Sequence, residues 1–353
     1  MAQELTTTAN KPFEIGLYSF VELTADPVTG KKLTAAERIR NLLEEIELAD
    51  QVGLDVYGLG EHHREDYAIS SPEIVLAAAA TITKKIKLAS AVTVLSSADP
   101  VKVYEDFATV DLLSKGRAEI MAGRGSFIES FPLYGYDLRD YDRLFEEKLD
   151  LLLTINNNET VNWKGKLRAP LVNQKVLPRA FDDKLRIWIA VGGTPESVIR
   201  AGRLGLPLII AIIGGSPRQF KPLVQLYKDE YKSNGHDPAK MKIGIHSHSF
   251  TNENSQLAAD TIYPYYAKQM SKIGRERGWS SYSRQQFEAG RTKEGALFIG
   301  SPSEIIDKIS YMHELFGITR FVAHIDVGGA PHKDLMKTIE LYGTVIAPAL
   351  KKL

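Results

Sequence analysis

Short runs of apolar residues recur along this chain that are too continuous for strands with one wet face. They are FEIGLYSF from Phe13, LDVYGLG from Leu54, IKLASAVTVL from Ile86, RAEIMAG from Arg117, RIWIAVGG from Arg186, LIIAIIGG from Leu208, KIGIHSHSF from Lys242 and TRFVAHIDVGG from Thr319. Unbroken hydrophobicity over so short a span suits strands covered on both faces, as parallel strands are. Between the runs the period changes to that of a helix. In LTAAERIRNLLEEIELADQVG, Ile39, Leu42, Leu43, Ile46 and Ala49 fall on one face, Thr34 and Glu37 have capping-box spacing, and Gly53 supplies a stop. Ser71-Pro72, Asp99-Pro100, Thr194-Pro195, Ser216-Pro217 and Ser301-Pro302 each put a capping residue before a proline suited to the first helical position.

The chain therefore reads strand, short loop, capped helix, repeatedly. Eight such strands in an α/β chain favour a closed (β/α)8 TIM barrel, and an open doubly wound sheet, which shows the same local pattern, stands as the alternative. The rhythm breaks twice, at residues 156–184, with a turn at Lys164-Gly165, and at residues 251–297, rich in Tyr, Arg and Gln. Both read as insertions in a single domain spanning residues 1–353, and the second is expected to be a mobile lid over the strand ends.

Composition narrows the chemistry. Lys plus Arg and Asp plus Glu both number 44, so no electrostatic footprint for nucleic acid or an anionic membrane is present. The absence of cysteine excludes disulfides, thiolate catalysis and cysteine-ligated metals. The first residues, MAQELTTTANKP, lack a cationic start and an apolar core, and no window reaches the length of a membrane span; a cytoplasmic location is the expectation.

In a barrel the reacting groups lie at the C-terminal strand ends, here GEHHRED, SSAD, AGRGS, VGGTPES, IIGGSP, HSHSF and HIDVGG. VGGTPES, Val191 to Ser197, combines two glycines that let backbone approach a ligand with a helix start whose amides favour an anion; it reads as a phosphate cup or as an ordinary capped turn. Arg124 in AGRGS supplies a permanent fork-shaped charge, equally available to a structural ion pair. No Walker loop or G-x-G-x-x-G is present. His62 and His63 follow the second strand; neighbours in a strand point opposite ways, so one is expected to face a site and the other to be structural. His246-x-His248 with Asp326 raises a metal hydrolase, against satisfied pocket or core histidines. Amidohydrolase barrels carry His-x-His on the first strand, which here ends Leu17-Tyr18-Ser19-Phe20, so no metal site is assigned.

GEHHR, ASAVTVLSSADPVKVYEDFATVDLLSKGR, AGRGS, KVLPR and IWIAVGGTPESVIRAGRLGLP together resemble the bacterial-luciferase-like flavin-dependent monooxygenases, from Phe13 to Pro348 and most weakly over residues 251–297. The resemblance implies a barrel that takes FMN, delivered reduced by a separate NAD(P)H-dependent flavin reductase, and uses O2 to oxygenate a small organic substrate. It implies His62 as the catalytic residue. For the cofactor it implies Ala91 and Val92, joined by a non-proline cis peptide against the flavin, the phosphate-binding Arg124, Gly193, Thr194 and Ser197, and the adjoining Gly125, Ser126, Gly192, Ala211, Ile212 and Gly214. The luciferase alpha subunit's reactive cysteine is replaced by Gly123, which argues against a light-emitting luciferase. Phe20, Glu22, Phe127 and Asp326 are expected on the substrate side, and Tyr and Arg residues from Tyr263 to Arg291 in the lid. Relatives of the same fold use a deazaflavin for hydride transfer, and others hold flavin without turnover; both remain alternatives. A homodimer is expected, with the alanine-rich IVLAAAATIT helix allowing close packing.

Overall fold

The computed structural model describes residues 13–125 and 127–353. Each of the eight apolar runs forms a strand: β1 (Glu14–Ser19), β2 (Val56–Leu59), β3 (Lys87–Ser90) with its continuation β4 (Thr93–Val94), β5 (Ala118–Gly123), β8 (Arg186–Val191), β9 (Leu208–Ala211), β10 (Ile243–Thr251) and β12 (Arg320–His324). Successive members pair in parallel, and β12 returns to β1 with Tyr18 opposite His324, so the sheet closes into a barrel and the open-sheet alternative falls. Closure leaves no edge of the barrel unpaired, which satisfies the backbone without a covering strand.

Side chains alternate across this wall. Ile15 and Leu17 face outward into the core shared with the helices, whereas Tyr18 belongs to an inner cluster with Val56, Ala89, Ala91, Met121, Trp188, Ile209 and Val322. Below that cluster, Arg320 is fully buried, its Nε 2.6 Å from Glu14 and its two terminal nitrogens 2.6 and 3.2 Å from the Glu119 carboxylate. Its guanidinium lies 4.2 Å from the Trp188 ring centre. Layers of charge, then apolar bulk, then aromatic and imidazole rings fill the barrel, which is a packed core up to its C-terminal mouth.

The outer ring comprises α1 (Ala35–Gln51), α2 (Pro72–Ile82), α3 (Pro100–Ser114), α5 (Tyr141–Asn157), α6 (Pro195–Arg203), α7 (Lys221–Ser233), α10 (Pro302–Phe316) and α11 (His332–Leu341), with a short α4 (Ser130–Tyr134) beyond β5. The capping box Thr34–Glu37 forms, and Leu42, Ile46 and Ala49 are buried on the face the periodicity selects. The proline signature marks helix starts with different chemistry at each. Asp99 caps Val101 and Lys102, the Ser301 amide donates to Glu304 at 2.7 Å, and Ser216-Pro217 opens a 3-10 turn ahead of α7. Ser71 and Thr194 make no side-chain cap.

The insertions are ordered. Residues 160–175 form an antiparallel hairpin, β6 (Thr160–Trp163) and β7 (Leu171–Lys175), and the Glu147 carboxylate ties its connecting loop through the amides of Lys166, Leu167 and Arg168. Residues 251–297 form α8 (Ser255–Glu276) and α9 (Arg284–Arg291), leading into β11 (Phe298–Gly300), which pairs with the end of β10. The segment expected as a lid is thus helical. Tyr265 donates to Asp26 at 2.6 Å, which ties α8 to the loop after β1, while Arg284 donates to Asp260 at 2.8 Å within the segment and Arg291 to the Ile299 carbonyl of the adjoining β11 at 3.1 Å.

Candidate active site

At the C-terminal mouth the inner wall stops being filled and encloses a cavity of about 410 Å3. That is within the usual range for a small-molecule or cofactor site. His62, Ala91, Val92, Arg124, Gly125, Gly192, Thr194 and Ala211 all line it. The structure thus brings together residues from five strand ends that span much of the sequence.

One end is polar and open. Arg124, just past β5, donates through Nη2 to the Thr194 hydroxyl at 2.7 Å, pairs through Nη1 with the exposed Asp142, and lies over the Tyr141 ring. Because the Thr194 hydroxyl is taken by Arg124 and does not cap α6, the first-turn amides of that helix are left to an anion. Gly193 has φ +139, a conformation reserved largely for glycine, and side-chain-sized space stands open at Gly192, Gly193 and Gly214. Ser197 is buried in the first turn of α6. An arginine fork, a bare glycine turn and a helix start are a donor set that fits a phosphate, and Arg124 also makes the ion pair that the structural alternative expects, with Asp142.

The middle is a slot of small side chains. The Ala91–Val92 peptide is cis, and Ala91, Val92, Ala190 and Ala211 line the wall there. A Cβ on Gly123 would sit 2.8 Å from Val92 Cγ2, so glycine at 123 is what lets Val92 enter the wall. Of the remaining cofactor residues, Ile212 is a correction: it is 1% exposed in the outer core, and Ala211 and Ile213 face the cavity in its place. Alternation along the end of β9 puts its side chain on the other face. Gly193 and Gly214 stand next in sequence to lining residues and Ser197 three positions past Thr194, none of the three lining the cavity itself, and Ser126 lies outside the described residues.

The other end is ringed by aromatic and imidazole groups. His62 stacks on Tyr67 with ring centres 4.2 Å apart and meets Phe20 edge-on at 4.4 Å. Burial, with His324 nearby, pushes its imidazole down to about 3, so it is neutral near pH 7. His63 lines the cavity as well, its Nε2 3.0 Å from Glu61, whose second oxygen accepts from the Val94 amide. The expectation that only one of the pair faces the site is therefore corrected: β2 ends at Leu59, and strand alternation has lapsed by His62.

His246 and His248 also line the cavity. His246 stacks on Tyr18 at 4.4 Å and burial pushes it down to about 3; His248 Nδ1 lies 2.9 Å from the Tyr266 hydroxyl. Among the described residues no three His, Asp or Glu side chains are grouped to hold a metal ion. Phe20 and Phe127 line the cavity as expected, whereas Asp326 and Glu22 do not. Asp326 is spent behind the wall, accepting from Ser19 at 2.6 Å and Arg38 at 3.0 Å; against the cost of burial, His324, Arg38 and Ser19 hold its carboxyl well below the usual range. Glu22 faces a separate cavity of about 200 Å3, beside Arg38 and His332. Tyr18 and Ala190 were legible as inner-face partners of Gly16 and Trp188 two residues earlier. Tyr141, on α5, carries no local signal.

Fold and cavity together define a closed α/β barrel with its candidate site at the C-terminal mouth. The family model described as luciferase-like monooxygenase matches residues 13–319, and the chain belongs to that family. It is 22% identical to the alkanal monooxygenase alpha chain of the Kryptophanaron alfredi symbiont, covering 91% of this chain and 95% of that one. The oxygenating constituent of 3,6-diketocamphane monooxygenase from Pseudomonas putida, solved in complex with FMN, superposes with TM-score 0.73 at 19% identity, over 96% of this chain and 99% of that one. An F420-dependent secondary alcohol dehydrogenase with an F420-acetone adduct superposes with TM-score 0.72 at 18% identity, over 96% and 99%.

Proposed function

We propose that this enzyme is a flavin-dependent monooxygenase that takes reduced FMN and O2 and inserts one oxygen atom into a small organic substrate. The observation that carries the reading is the Arg124–Thr194 pair at the bare glycine turn, facing the same cavity as Ala91, Val92 and the buried His62. FMN, when bound reduced, supplies the oxygen-activating chemistry. Arg124, Gly193, Thr194 and the α6 start bind its phosphate. Ala91, Val92, Ala190 and Ala211 keep the slot wide enough for a flat ring system. His62 holds or accepts a single proton at Nε2, which has no partner in the structure. Phe20, Phe127 and Tyr18 exclude water.

The likeness to the F420-dependent enzyme supports a second reading, deazaflavin-dependent hydride transfer on the same frame. The two separate by oxygen: the monooxygenase shows substrate-dependent O2 uptake and one 18O atom from labelled O2 in the product when a flavin reductase and NADH supply reduced FMN. Hydride transfer leaves O2 unconsumed. A partner reductase and a homodimer packed through α2, whose Ile74 and Ile82 are exposed, belong to the same proposal. Among the described residues no helix is long and apolar enough to cross a membrane.

A further inference from the structure

His62, Phe20, Tyr18 and His246 form a continuous arc of rings along one wall of the cavity. Neighbouring centres lie 4.4 Å apart from His62 to Phe20, 5.4 Å from Phe20 to Tyr18 and 4.4 Å from Tyr18 to His246. At each end of the arc is a buried imidazole nitrogen, His62 Nε2 and His246 Nε2, with no hydrogen-bond partner in the protein. Buried polar atoms are nearly always paired, and an unpaired one in a cavity wall invites a partner from a ligand. His248, two residues on from His246, differs in spending its Nδ1 on Tyr266.

We propose that this arc is the substrate's head site: His62 and His246 hydrogen-bond a carbonyl or hydroxyl group on an uncharged, ring-shaped substrate, and the site rejects carboxylates. The proposal rests on the monooxygenase reading and adds a substrate class to it. The rings supply flat apolar contact for an aromatic or alicyclic body. Among the described residues the one lysine or arginine lining the cavity is Arg124, at the phosphate end, while Arg64 near His62 is already tied to Asp66, Glu129 and Glu276. Behind the arc, Asp326 and Arg38 already pair with each other, so neither offers a free charge to a ligand. Both imidazoles are held neutral by burial, so each presents a neutral donor or acceptor and no positive charge. A carboxylate would lose its hydration there without a cation in exchange, whereas a neutral carbonyl meets a donor.

The test is calorimetric titration of the full-length protein at pH 7 with acetophenone and with benzoate, which share a ring and differ in the charge of the head. Each is run with and without FMN, on wild type, His246→Phe and His246→Gln. Phenylalanine keeps the stack on Tyr18 and removes the polar atom; glutamine restores a hydrogen-bonding group. The expected result is acetophenone binding at least about tenfold tighter than benzoate, reduced about tenfold in His246→Phe and largely regained in His246→Gln, with FMN affinity unchanged in both. Benzoate binding as tightly as acetophenone would overturn the proposal. So would His246→Phe leaving acetophenone affinity intact, or weakening FMN instead, which would turn the imidazole toward the cofactor. Loss of FMN binding altogether with the acetophenone preference retained would sink the monooxygenase reading and leave the head site standing.

Discussion

Arg124 Nη2 donates to the Thr194 hydroxyl at 2.7 Å, so the end of β5 and the start of α6 meet across the cavity mouth. The bond withdraws Thr194 from capping its own helix and holds the guanidinium beside an open glycine turn. Arg124→Ala is therefore expected to weaken FMN binding roughly 10- to 100-fold, the worth of one or two charge-assisted hydrogen bonds. Stability should change by less than about 1 kcal/mol, because its other partner, Asp142, is exposed. Fluorescence titration of FMN together with urea unfolding checks both halves.

Gly123 stands where Val92 enters the wall, its missing Cβ 2.8 Å from Val92 Cγ2. Gly123→Ala should cost about 1–3 kcal/mol through overpacking. A Val92→Ala change in the same chain should recover part of that loss, because it removes the two Cγ contacts at 2.8 and 3.1 Å and keeps the Cβ at 3.0 Å. Urea denaturation of the two single variants and the double variant measures the coupling; additive losses would contradict the packing argument.

Arg320 is buried between Glu14 and Glu119 on the barrel floor. Arg320→Met leaves the buried Glu119 carboxylate without its cation and Glu14 with Lys87 alone, and should destabilise by about 3–5 kcal/mol. The Trp188 ring also loses its guanidinium neighbour, so its fluorescence should shift in the native state of any variant that folds. A loss under 1 kcal/mol in urea unfolding, read with that shift, would show the network to be dispensable.

The same network sets an acid limit. Burial works against ionising Glu14, but Arg320 and Lys87 hold its carboxyl down to about 2 from an ordinary 4.5. A depressed folded-state value means that the unfolded chain binds the proton more readily. The contribution is thus fully present above about pH 4.5 and lost as pH falls toward 2, on the order of 2–3 kcal/mol in all. Glu14→Gln should flatten the acid limb of the stability profile across that window, measured by chemical denaturation at a series of pH values.

The barrel was legible because parallel strands buried on both faces leave unbroken apolar runs such as LIIAIIGG, and helix starts carry Ser, Thr or Asp before Pro. The meeting of Arg124 and Thr194 at one end of the cavity was legible for a related reason: both sit in strand-end turns whose composition betrays their backbone geometry. What escaped were side-chain directions outside regular structure. His63 was set aside by a strand rule applied after β2 had ended, and Ile212 was assigned to the cavity although it faces the outer core. In the Tyr- and Arg-rich stretch over residues 251–297, the bond of Tyr265 to Asp26 joins positions far apart in the chain, which no local pattern encodes.

The central claim is that Arg124 and the Thr194 turn hold reduced FMN in this cavity, and anaerobic titration tests it most directly. Wild type and Arg124→Ala are titrated with reduced FMN and, in parallel, with a reduced deazaflavin. The account predicts micromolar binding of reduced FMN by the wild type, weakened roughly 10- to 100-fold by the substitution. Failure to bind FMN in either redox state, with tight binding of the deazaflavin, would contradict it and bring the hydride-transfer reading forward.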